Sequence, residues 1–190
     1  MSEQPALFLD RDGVINIDTG YVHKAENCVF IDGIFDLVKR ANLHGYKVFV
    51  VTNQAGIARG YYTEAEFLNF SEWMKNEFKK HQAHIDEIYF CPHHPVHGLG
   101  SYLTDCDCRK PSPGMFLKAQ KSFNIDMKKS IMIGDNISDL EASMLANIGK
   151  HYLFIARQIE RTVAQSESEF AKNLNVQLIS SLNEVDLIRD

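Results

Sequence analysis

Stretches with strand character alternate with stretches with helix character along most of this 190-residue chain. Runs typical of buried strands lie at residues 6–9, 47–52, 85–90, 130–134, 152–155 and 176–179. The clearest helix begins at a capping box, Thr63 to Glu66, and continues with apolar residues at helical spacing. Because strand–helix–strand units join parallel strands by right-handed crossovers, we expect an α/β fold. The predicted fold is a Rossmann-like, mainly parallel sheet with helices on both faces.

The size of the chain predicts a single domain over residues 1–190. Domains cluster around ~100–200 residues, and a 45% share of hydrophobic residues is enough for a packed core. There is no internal repeat, low-complexity tract or interdomain linker. Residues 158–173 are polar and have the weakest pattern in the chain.

The charge balance argues against nucleic acid as a partner. Twenty Lys and Arg against 25 Asp and Glu give a formal charge of −5, and the longest basic cluster is Lys79-Lys80-His81. A nucleic-acid binder usually carries a basic stripe. The chain contains no run of 18 apolar residues, so no membrane span is predicted, and the first residues lack a signal-like segment. We therefore expect a cytoplasmic monomer with no nucleic-acid or membrane partner.

Polar side chains follow three of the predicted strands at the point where each strand ends. Asp10 and Asp12 follow the first strand, Thr52 ends the second, and Asp135 follows the fourth with Asp139 one helical turn later. In parallel sheets such groups meet beyond the carboxyl ends of the strands. A lone loop aspartate usually caps a turn, but clustered carboxylates repel one another and attract a hard cation. The pattern predicts a Mg²⁺ site.

Three of the four cysteines lie within 18 residues, beside several histidines. In a chain without an export signal this spacing is typical of metal binding rather than of disulfides. Cys91-x-His93 and Cys106-x-Cys108 form two close pairs, which suit a closed, structural tetrahedral zinc site. Zinc would stiffen this long segment, residues 91–108, which we call the zinc loop.

Two details of the zinc loop bear on its role. His94 and His97 are alternatives to His93 as the imidazole ligand, whereas Cys28 lies outside the loop and is interpreted as a buried free thiol. Arg109 and Lys110 follow directly after the last cysteine. We expect the bound metal to hold these two cations against a phosphate site, Arg109 through its guanidinium fork.

In order along the chain, these motifs resemble those of the haloacid dehalogenase superfamily. They are Asp10-x-Asp12-Gly13, Thr52, Lys110 before a proline, and Gly134-Asp135-x-x-x-Asp139, and the resemblance covers residues 6–148. It implies phosphoryl transfer through an aspartyl-phosphate, with Asp10 as the nucleophile and Asp12 as the general acid and base. Thr52 and Lys110 would stabilise the transferred phosphoryl group.

The same resemblance implies how the magnesium ion is held. Asp10, Asp135 and the backbone carbonyl of Asp12 would be ligands, and Asp139 would orient a water on the ion without binding it. The 42 positions from Asp10 to Thr52 leave room for one helix and loops. The 58 positions from Thr52 to Lys110 are taken up by a helix, a strand and the zinc loop. We therefore expect no cap domain and an open active site.

Within the superfamily the chain is similar to the D-glycero-D-manno-heptose 1,7-bisphosphate 7-phosphatases. The similar segments are residues 10–16, 20–23 and 51–60, and a zinc loop with Cys-x-His before Cys-x-Cys, which favours His93. The resemblance implies removal of the 7-phosphate from a phosphorylated sugar used for lipopolysaccharide or related heptose synthesis. Its implied substrate contacts are Asp10, Arg11, Asp12, Asp18, Thr19, Gly20, Tyr21, Thr52, Asn53, Gln54, Ala55, Arg109, Lys110 and Asn136.

One residue departs from this pattern, and two other functions remain open. Close relatives often carry a basic residue after the fourth-motif aspartate, whereas Asn136 brings an amide without charge. Histidinol-phosphate phosphatases share the fold and the zinc loop, but their substrate calls for a pocket tuned to a cation. From a different class, a non-catalytic zinc-stabilised binding module has no use for Asp10 beside Asp12.

Overall fold

A computed structural model describes residues 3–155 and 176–187 of the chain. Its six strands form one parallel sheet in the order β3-β2-β1-β4-β5-β6. The strands are β1 (Ala6–Leu9), β2 (Lys47–Asn53), β3 (Glu87–Cys91), β4 (Ile131–Gly134), β5 (Lys150–Phe154) and β6 (Gln177–Ile179). The helices are α1 (Ile34–Leu43), α2 (Ala55–Ala58), α3 (Glu64–Lys80), α4 (Gly114–Phe123) and α5 (Ile137–Leu145). The predicted α/β class is confirmed.

The alternation of side chains along β1 divides the core into two layers. Leu7 and Leu9 pack in a cluster with apolar residues of α1 and α3. Ala6 and Phe8 pack on the other face, where the Phe8 ring lies 5.1 Å from that of Phe116 on α4. Successive strand residues point to opposite faces, so a strand covered on both faces must be apolar throughout. This explains the unbroken apolar run at residues 6–9.

The helix ends follow local capping chemistry, with small departures from the predicted bounds. Thr63 Oγ1 accepts from Glu66 N at 3.2 Å and Glu66 Oε2 accepts from Thr63 N at 2.7 Å, which confirms the capping box. Pro113 is the N-cap of α4. The single turn α2 has no counterpart among the predicted elements, because four residues are too few for a periodic pattern. The polar segment 158–173 lies outside the described residues.

Short connections leave the carboxyl edge of the sheet uncovered by a cap. Between β1 and β2 the chain forms a 3₁₀ turn, Ala25–Asn27, and α1; α2 and α3 follow before β3. No cap domain is inserted in residues 3–155, as the spacing predicts. None of the helices in the described part of the chain is long and apolar enough to cross a membrane. The cytoplasmic location and the monomeric state stay predictions.

His151 on β5 should make folding stability depend on pH. It is buried, its Nε2 has no hydrogen-bond partner among the described residues, and burial lowers its pKa to about 4. Between that value and the usual value of 6.5 the unfolded chain binds a proton that the folded chain does not, so stability falls as pH falls. We expect His151 to contribute about 1–2 kcal/mol to the loss between pH 7.5 and 5.0.

Urea unfolding at the two pH values measures this contribution. His151→Gln should show a smaller loss of unfolding free energy than the parent chain, whatever its stability at neutral pH. The control His44→Gln, at an exposed position after α1, should keep the parent dependence. If both variants lost the same unfolding free energy between pH 7.5 and 5.0, the acid sensitivity would belong to groups other than His151.

Candidate active site

A cavity of about 510 Å³ opens at the carboxyl edge of the sheet, around the ends of β1, β2 and β4. The strand order reverses here, and ligands of doubly wound sheets bind at such a point. Most of the predicted site residues line it: Asp10, Asp12, Asp18, Gly20, Tyr21, Thr52, Asn53, Gln54, Ala55, Arg109, Lys110, Asp135, Asn136 and Asp139. Tyr62 and Ser138, which no sequence pattern indicated, line it as well.

Three carboxylates form an acidic cluster, two of them after strand ends and the third in the first turn of α5. One oxygen each of Asp10, Asp135 and Asp139 lies within 4.8 Å of the others. Gly13 makes this approach possible, because a Cβ at that position would lie 1.9 Å from Asp135 Oδ2 and its φ is +88°. Only glycine combines this backbone conformation with that clearance. The Asp-x-Asp-Gly motif thus serves packing as well as chemistry.

The buried ammonium of Lys110 bridges two members of the cluster. Its Nζ lies 2.7 Å from Asp10 Oδ1 and 2.7 Å from Asp139 Oδ1, and donates to Val51 O at 2.8 Å. Burial opposes the charge of Lys110, but the two aspartates outweigh it and raise its pKa above the usual range. Asp139 therefore has a definite role in the structure as a partner of Lys110. The predicted role of Asp139 near a metal-bound water stays a prediction.

Asn53 holds the backbone of Lys110 in place. Its Oδ1 accepts from Lys110 N and its Nδ2 donates to Lys110 O, both at 3.0 Å. Although Asn53 lines the cavity, both polar ends of its side chain are therefore occupied. The resemblance implies that Asn53 contacts the substrate, whereas the geometry supports a role in fixing Lys110.

The acidic cluster is electrostatically unbalanced without a further cation. Burial, together with the neighbouring carboxylates, raises the pKa of Asp10 to about 7 and that of Asp135 to about 8, although Lys110 lowers both. When all three carboxylates are ionised, the one ammonium leaves two negative charges in excess, which is why these pKa values rise in the absence of a further cation. An all-oxygen set with this charge fits a hard divalent ion such as Mg²⁺.

The carboxylate of Asp12 is held from several sides. Arg11 donates to Asp12 Oδ2 from Nε at 3.1 Å and from Nη2 at 2.6 Å, and Asn16 Nδ2 donates to Oδ1 at 3.0 Å. Gln54 Nε2 approaches Oδ2 at 3.4 Å. Asp12 lines the cavity, but its side chain is not part of the acidic cluster. This is compatible with the prediction that only its backbone carbonyl would reach the ion.

Arg11 and Thr19 are the two predicted substrate contacts whose side chains do not line the cavity. Arg11 is 1% exposed and its guanidinium lies under α3, 5.6 Å from the ring centre of Phe67 and 5.3 Å from that of Phe70. The guanidinium is therefore turned away from the cavity, and the predicted contact of Arg11 with the substrate stays a prediction that only its backbone could fulfil. Thr19 is exposed in the loop beside the cavity.

A chain of hydrogen bonds orients the hydroxyl of Thr52. Tyr62 Oη donates to Gln54 Oε1, and Gln54 Nε2 donates to Thr52 Oγ1 at 2.8 Å. Gly56 admits the Tyr62 ring, because a Cβ there would lie 2.2 Å from it. Since Thr52 Oγ1 accepts this bond, its own proton is free to point to another acceptor. Thr52 can therefore donate to a phosphoryl oxygen.

The loop after Asn16 forms the outer wall of the cavity. Asp18 Oδ1 accepts from Gly20 N at 2.8 Å, which closes a turn, and Tyr21 follows with φ +54°. Positive φ is uncommon for an aromatic residue and is often found at binding sites. Tyr21 is 43% exposed and packs edge-on against Tyr61 at 4.6 Å.

The zinc loop brings together the four predicted ligands. Cys91, His93, Cys106 and Cys108 offer atoms within 4.8 Å of one another, with Sγ–Sγ distances of 3.2–3.5 Å. His93 presents Nδ1 at 3.5 Å from Cys108 Sγ. Three thiols and one imidazole at these separations fit a tetrahedral zinc ion with Zn–S bonds of about 2.3 Å.

Other contacts favour His93 over His94 as the imidazole ligand and connect the loop to the cavity. His94 Nδ1 instead accepts from Val96 N and His97 N, both at 3.1 Å. Arg109 Nη1 donates to His93 O at 3.2 Å, so the guanidinium that lines the cavity is anchored on the backbone of a candidate ligand. The geometry supports the prediction that the loop positions Arg109.

Comparison with known proteins agrees with the site. A sequence model of the polynucleotide kinase 3 phosphatase family matches residues 10–180. A D-glycero-alpha-D-manno-heptose-1,7-bisphosphate 7-phosphatase of Burkholderia mallei is 50% identical over 168 residues, 88% of each chain. A D-glycero-beta-D-manno-heptose-1,7-bisphosphate 7-phosphatase of Escherichia coli K12 is 48% identical over 149 residues, 78% of each chain.

A solved structure shows the same fold. The D,D-heptose 1,7-bisphosphate phosphatase from B. bronchiseptica, complexed with magnesium and phosphate, superimposes with a TM-score of 0.77 at 26% identity and 94% coverage of both chains. The parallel sheet, the acidic cluster at its edge and the four ordered motifs define a haloacid dehalogenase-type phosphatase. Within that superfamily, the chain belongs to the heptose 1,7-bisphosphate 7-phosphatase family.

Proposed function

We propose that this chain removes the 7-phosphate of D-glycero-D-manno-heptose 1,7-bisphosphate by way of an aspartyl-phosphate. The observation that carries the proposal is the bridging of Asp10 and Asp139 by the Lys110 ammonium, beside Asp135 and under an open cavity. A nucleophilic carboxylate and an anionic phosphate repel each other unless cations screen them. The proposed role serves lipopolysaccharide or related heptose synthesis.

The proposed chemistry uses two aspartates in two steps. In the first, an oxygen of Asp10 attacks phosphorus in line, the bond to the sugar oxygen breaks, and Asp12 gives that oxygen a proton. In the second, water attacks the phosphorus of the aspartyl-phosphate, Asp12 takes the proton, and Asp10 leaves as a carboxylate. In both steps the positive charge of Lys110 stabilises the phosphoryl oxygens, and the Thr52 hydroxyl donates to one of them.

Two metal ions belong to the proposal. Asp10, Asp135 and the Asp12 backbone carbonyl would hold Mg²⁺, which when bound neutralises charge on the phosphate. Cys91, His93, Cys106 and Cys108 would hold a structural Zn²⁺. Burial raises the pKa of the Cys91 and Cys108 thiols above the usual range, so thiolates there need a cation to form.

Recognition of the rest of the sugar bisphosphate falls to groups around the cavity mouth. Arg109 brings a guanidinium fork suited to a phosphate or to sugar hydroxyls. Asn136 Oδ1 accepts from Ser138 N at 3.1 Å and so caps α5. Only the amide nitrogen of Asn136 is left to donate to a substrate. We therefore assign most of the distal recognition to Arg109.

Removing the Arg109 guanidinium should affect the sugar bisphosphate selectively. A hydrogen bond to a charged group contributes about 1.5–3 kcal/mol, so Arg109→Ala should lower kcat/KM for the heptose bisphosphate about 10- to 100-fold. Turnover of p-nitrophenyl phosphate, which has no distal phosphate, should change less than about threefold on the same reasoning. Arg109→Lys, which keeps charge without the fork, should fall between. Equal losses on both substrates would remove the recognition role.

A substrate panel tests the proposed function itself. Phosphate release should be measured with Mg²⁺ on both anomers of the heptose bisphosphate, on histidinol phosphate and on a 3′-phosphorylated oligonucleotide. For at least one anomer, we expect kcat/KM to be at least about 100-fold higher than kcat/KM for histidinol phosphate and for the oligonucleotide. A preference for histidinol phosphate would move the chain to that activity. Release from no substrate would favour the non-catalytic zinc-stabilised module.

A further inference from the structure

The burial of Arg11 is the feature of the site that the proposed chemistry leaves unexplained. A guanidinium at 1% exposure is costly unless it is paired, and the aromatic rings of Phe67 and Phe70 cover it on the side of α3. Within the described residues Asp12 is its ion-pair partner, at 2.6 Å, and the side chain of Asp12 is 20% exposed. The arrangement places one buried cation directly behind one cavity-facing carboxylate.

The contacts distinguish the two oxygens of Asp12. A carboxylate offers about four lone-pair sites, two on each oxygen. Oδ2 is saturated, because Arg11 donates to it through Nε and Nη2 and Gln54 Nε2 also approaches it, at 3.4 Å, whereas Oδ1 accepts from Asn16 Nδ2 alone. The remaining site is on Oδ1. A proton exchanged with substrate or water is therefore carried on Oδ1, while Oδ2 stays fixed in the ion pair.

Arg11 also connects this carboxylate to the wall of the cavity. Its Nη2 donates to Val22 O at 2.7 Å, and Val22 is buried next to the segment that contributes Gly20 and Tyr21 to the cavity. The same guanidinium nitrogen thus contacts both Asp12 and the loop after Asn16 that forms the outer wall of the cavity. Through these two contacts the position of the Asp12 carboxylate is coupled to that of the cavity wall.

We propose that Arg11 is a positioning residue: it fixes Asp12 through Oδ2 so that Oδ1 can protonate the leaving oxygen and then deprotonate the attacking water. This inference rests on the proposed function, because it assumes that Asp12 exchanges that proton. The Arg11 guanidinium, which is buried behind Asp12, does not touch the substrate. Its loss should weaken proton donation more than it weakens binding.

Leaving-group dependence separates this role from a general structural one. The substrates are p-nitrophenyl, phenyl and benzyl phosphate, which are similar in size but differ increasingly in how basic their leaving oxygen is. A good leaving group departs without a proton, whereas the benzyl alkoxide needs one. The value to compare is kcat/KM, since it reports the steps up to departure of the leaving group. Asp12→Asn calibrates the assay by removing the proton donor.

Arg11→Met should lower kcat/KM for benzyl phosphate at least about 30-fold and for p-nitrophenyl phosphate less than about threefold. Arg11→Lys keeps the charge but cannot donate twice to Asp12 Oδ2. It should raise the ratio of kcat/KM for p-nitrophenyl phosphate to kcat/KM for benzyl phosphate about three- to tenfold. The matched control is Arg40→Met. Arg40 lies on α1 and donates to Val185 O and Leu182 O at 3.4 Å, away from the cavity. Its loss should leave the ratio unchanged.

Each outcome decides between the inference and its alternatives. If Asp12→Asn shows no leaving-group dependence, the proposed two-step chemistry fails at Asp12. If Asp12→Asn shows a leaving-group dependence and the folded Arg11 variants do not, the positioning role of Arg11 is wrong, while the proposed function stands. An equal change of the ratio in Arg40→Met would assign the effect to general loosening of the fold. Failure of both Arg11 variants to fold would likewise count against a positioning role.

Discussion

Replacing Asp10 by asparagine should abolish phosphatase turnover, with kcat at least about 10,000-fold lower than in the parent chain. An amide oxygen is a far weaker nucleophile than a carboxylate, so the aspartyl-phosphate does not form. The substitution is nearly isosteric, and the amide oxygen can still accept from the Lys110 ammonium that lies 2.7 Å from Asp10 Oδ1. The fold should therefore be retained.

Three measurements establish this result for Asp10→Asn. Turnover of the heptose bisphosphate gives kcat, thermal unfolding reports the fold, and beryllium fluoride in the presence of Mg²⁺ reports whether an acyl-phosphate mimic forms. The parent chain should bind the mimic and the variant should not. Asp32→Asn, at an exposed carboxylate before α1, should match the parent in all three. Retained activity in Asp10→Asn would remove the covalent mechanism.

Loss of a ligand of the proposed zinc site should have the second largest effect on activity. Cys108→Ser removes one of the four candidate ligands, and Cys108 stands next to Arg109 and two residues before Lys110. A displacement of about 1 Å in a catalytic group can cost about 100-fold in rate. We expect kcat/KM to fall about 100-fold even with Mg²⁺ in excess. The melting temperature should fall as well, because binding of structural zinc is coupled to folding.

Cys28 provides a matched control within the same chain. It is a free, half-buried thiol outside the candidate metal group, so Cys28→Ser should keep one bound zinc and nearly the parent activity. Metal analysis gives the zinc content, and chelation of the parent chain followed by addition of zinc tests whether activity returns. Full activity in zinc-free protein would contradict the positioning role of the loop.

Local patterns were sufficient to predict the architecture. The apolar runs and the capping box at Thr63 each reflect an interaction within a few residues. Such interactions depend on periodicity and capping, which are visible in the order of the residues. The one-turn helix α2 and the exact start of α4 at Gly114 were not predicted, because one or two residues do not change a periodic pattern.

The side-chain contacts within the active site were harder to predict from the sequence. The ordered motifs placed Asp10, Thr52 and Asp135 at one sheet edge, and they line one cavity. The motifs also suggested that Arg11 would contact the substrate, whereas its guanidinium turns inward to Asp12. Tyr62 had no signal at all, because its role depends on reaching Gln54 across the cavity wall.

By itself, the order of residues determined the parallel sheet, the edge at which the acidic groups collect and the three cysteines of the candidate zinc site. These follow from strand polarity and from ligand spacing, which are properties of short segments. Only the tertiary structure decided that Lys110 bridges Asp10 and Asp139 and that Arg11 lies behind Asp12. The physical reason is that a buried charge pairs with groups on the elements that pack around it. The sequence of a single segment does not determine which elements those are.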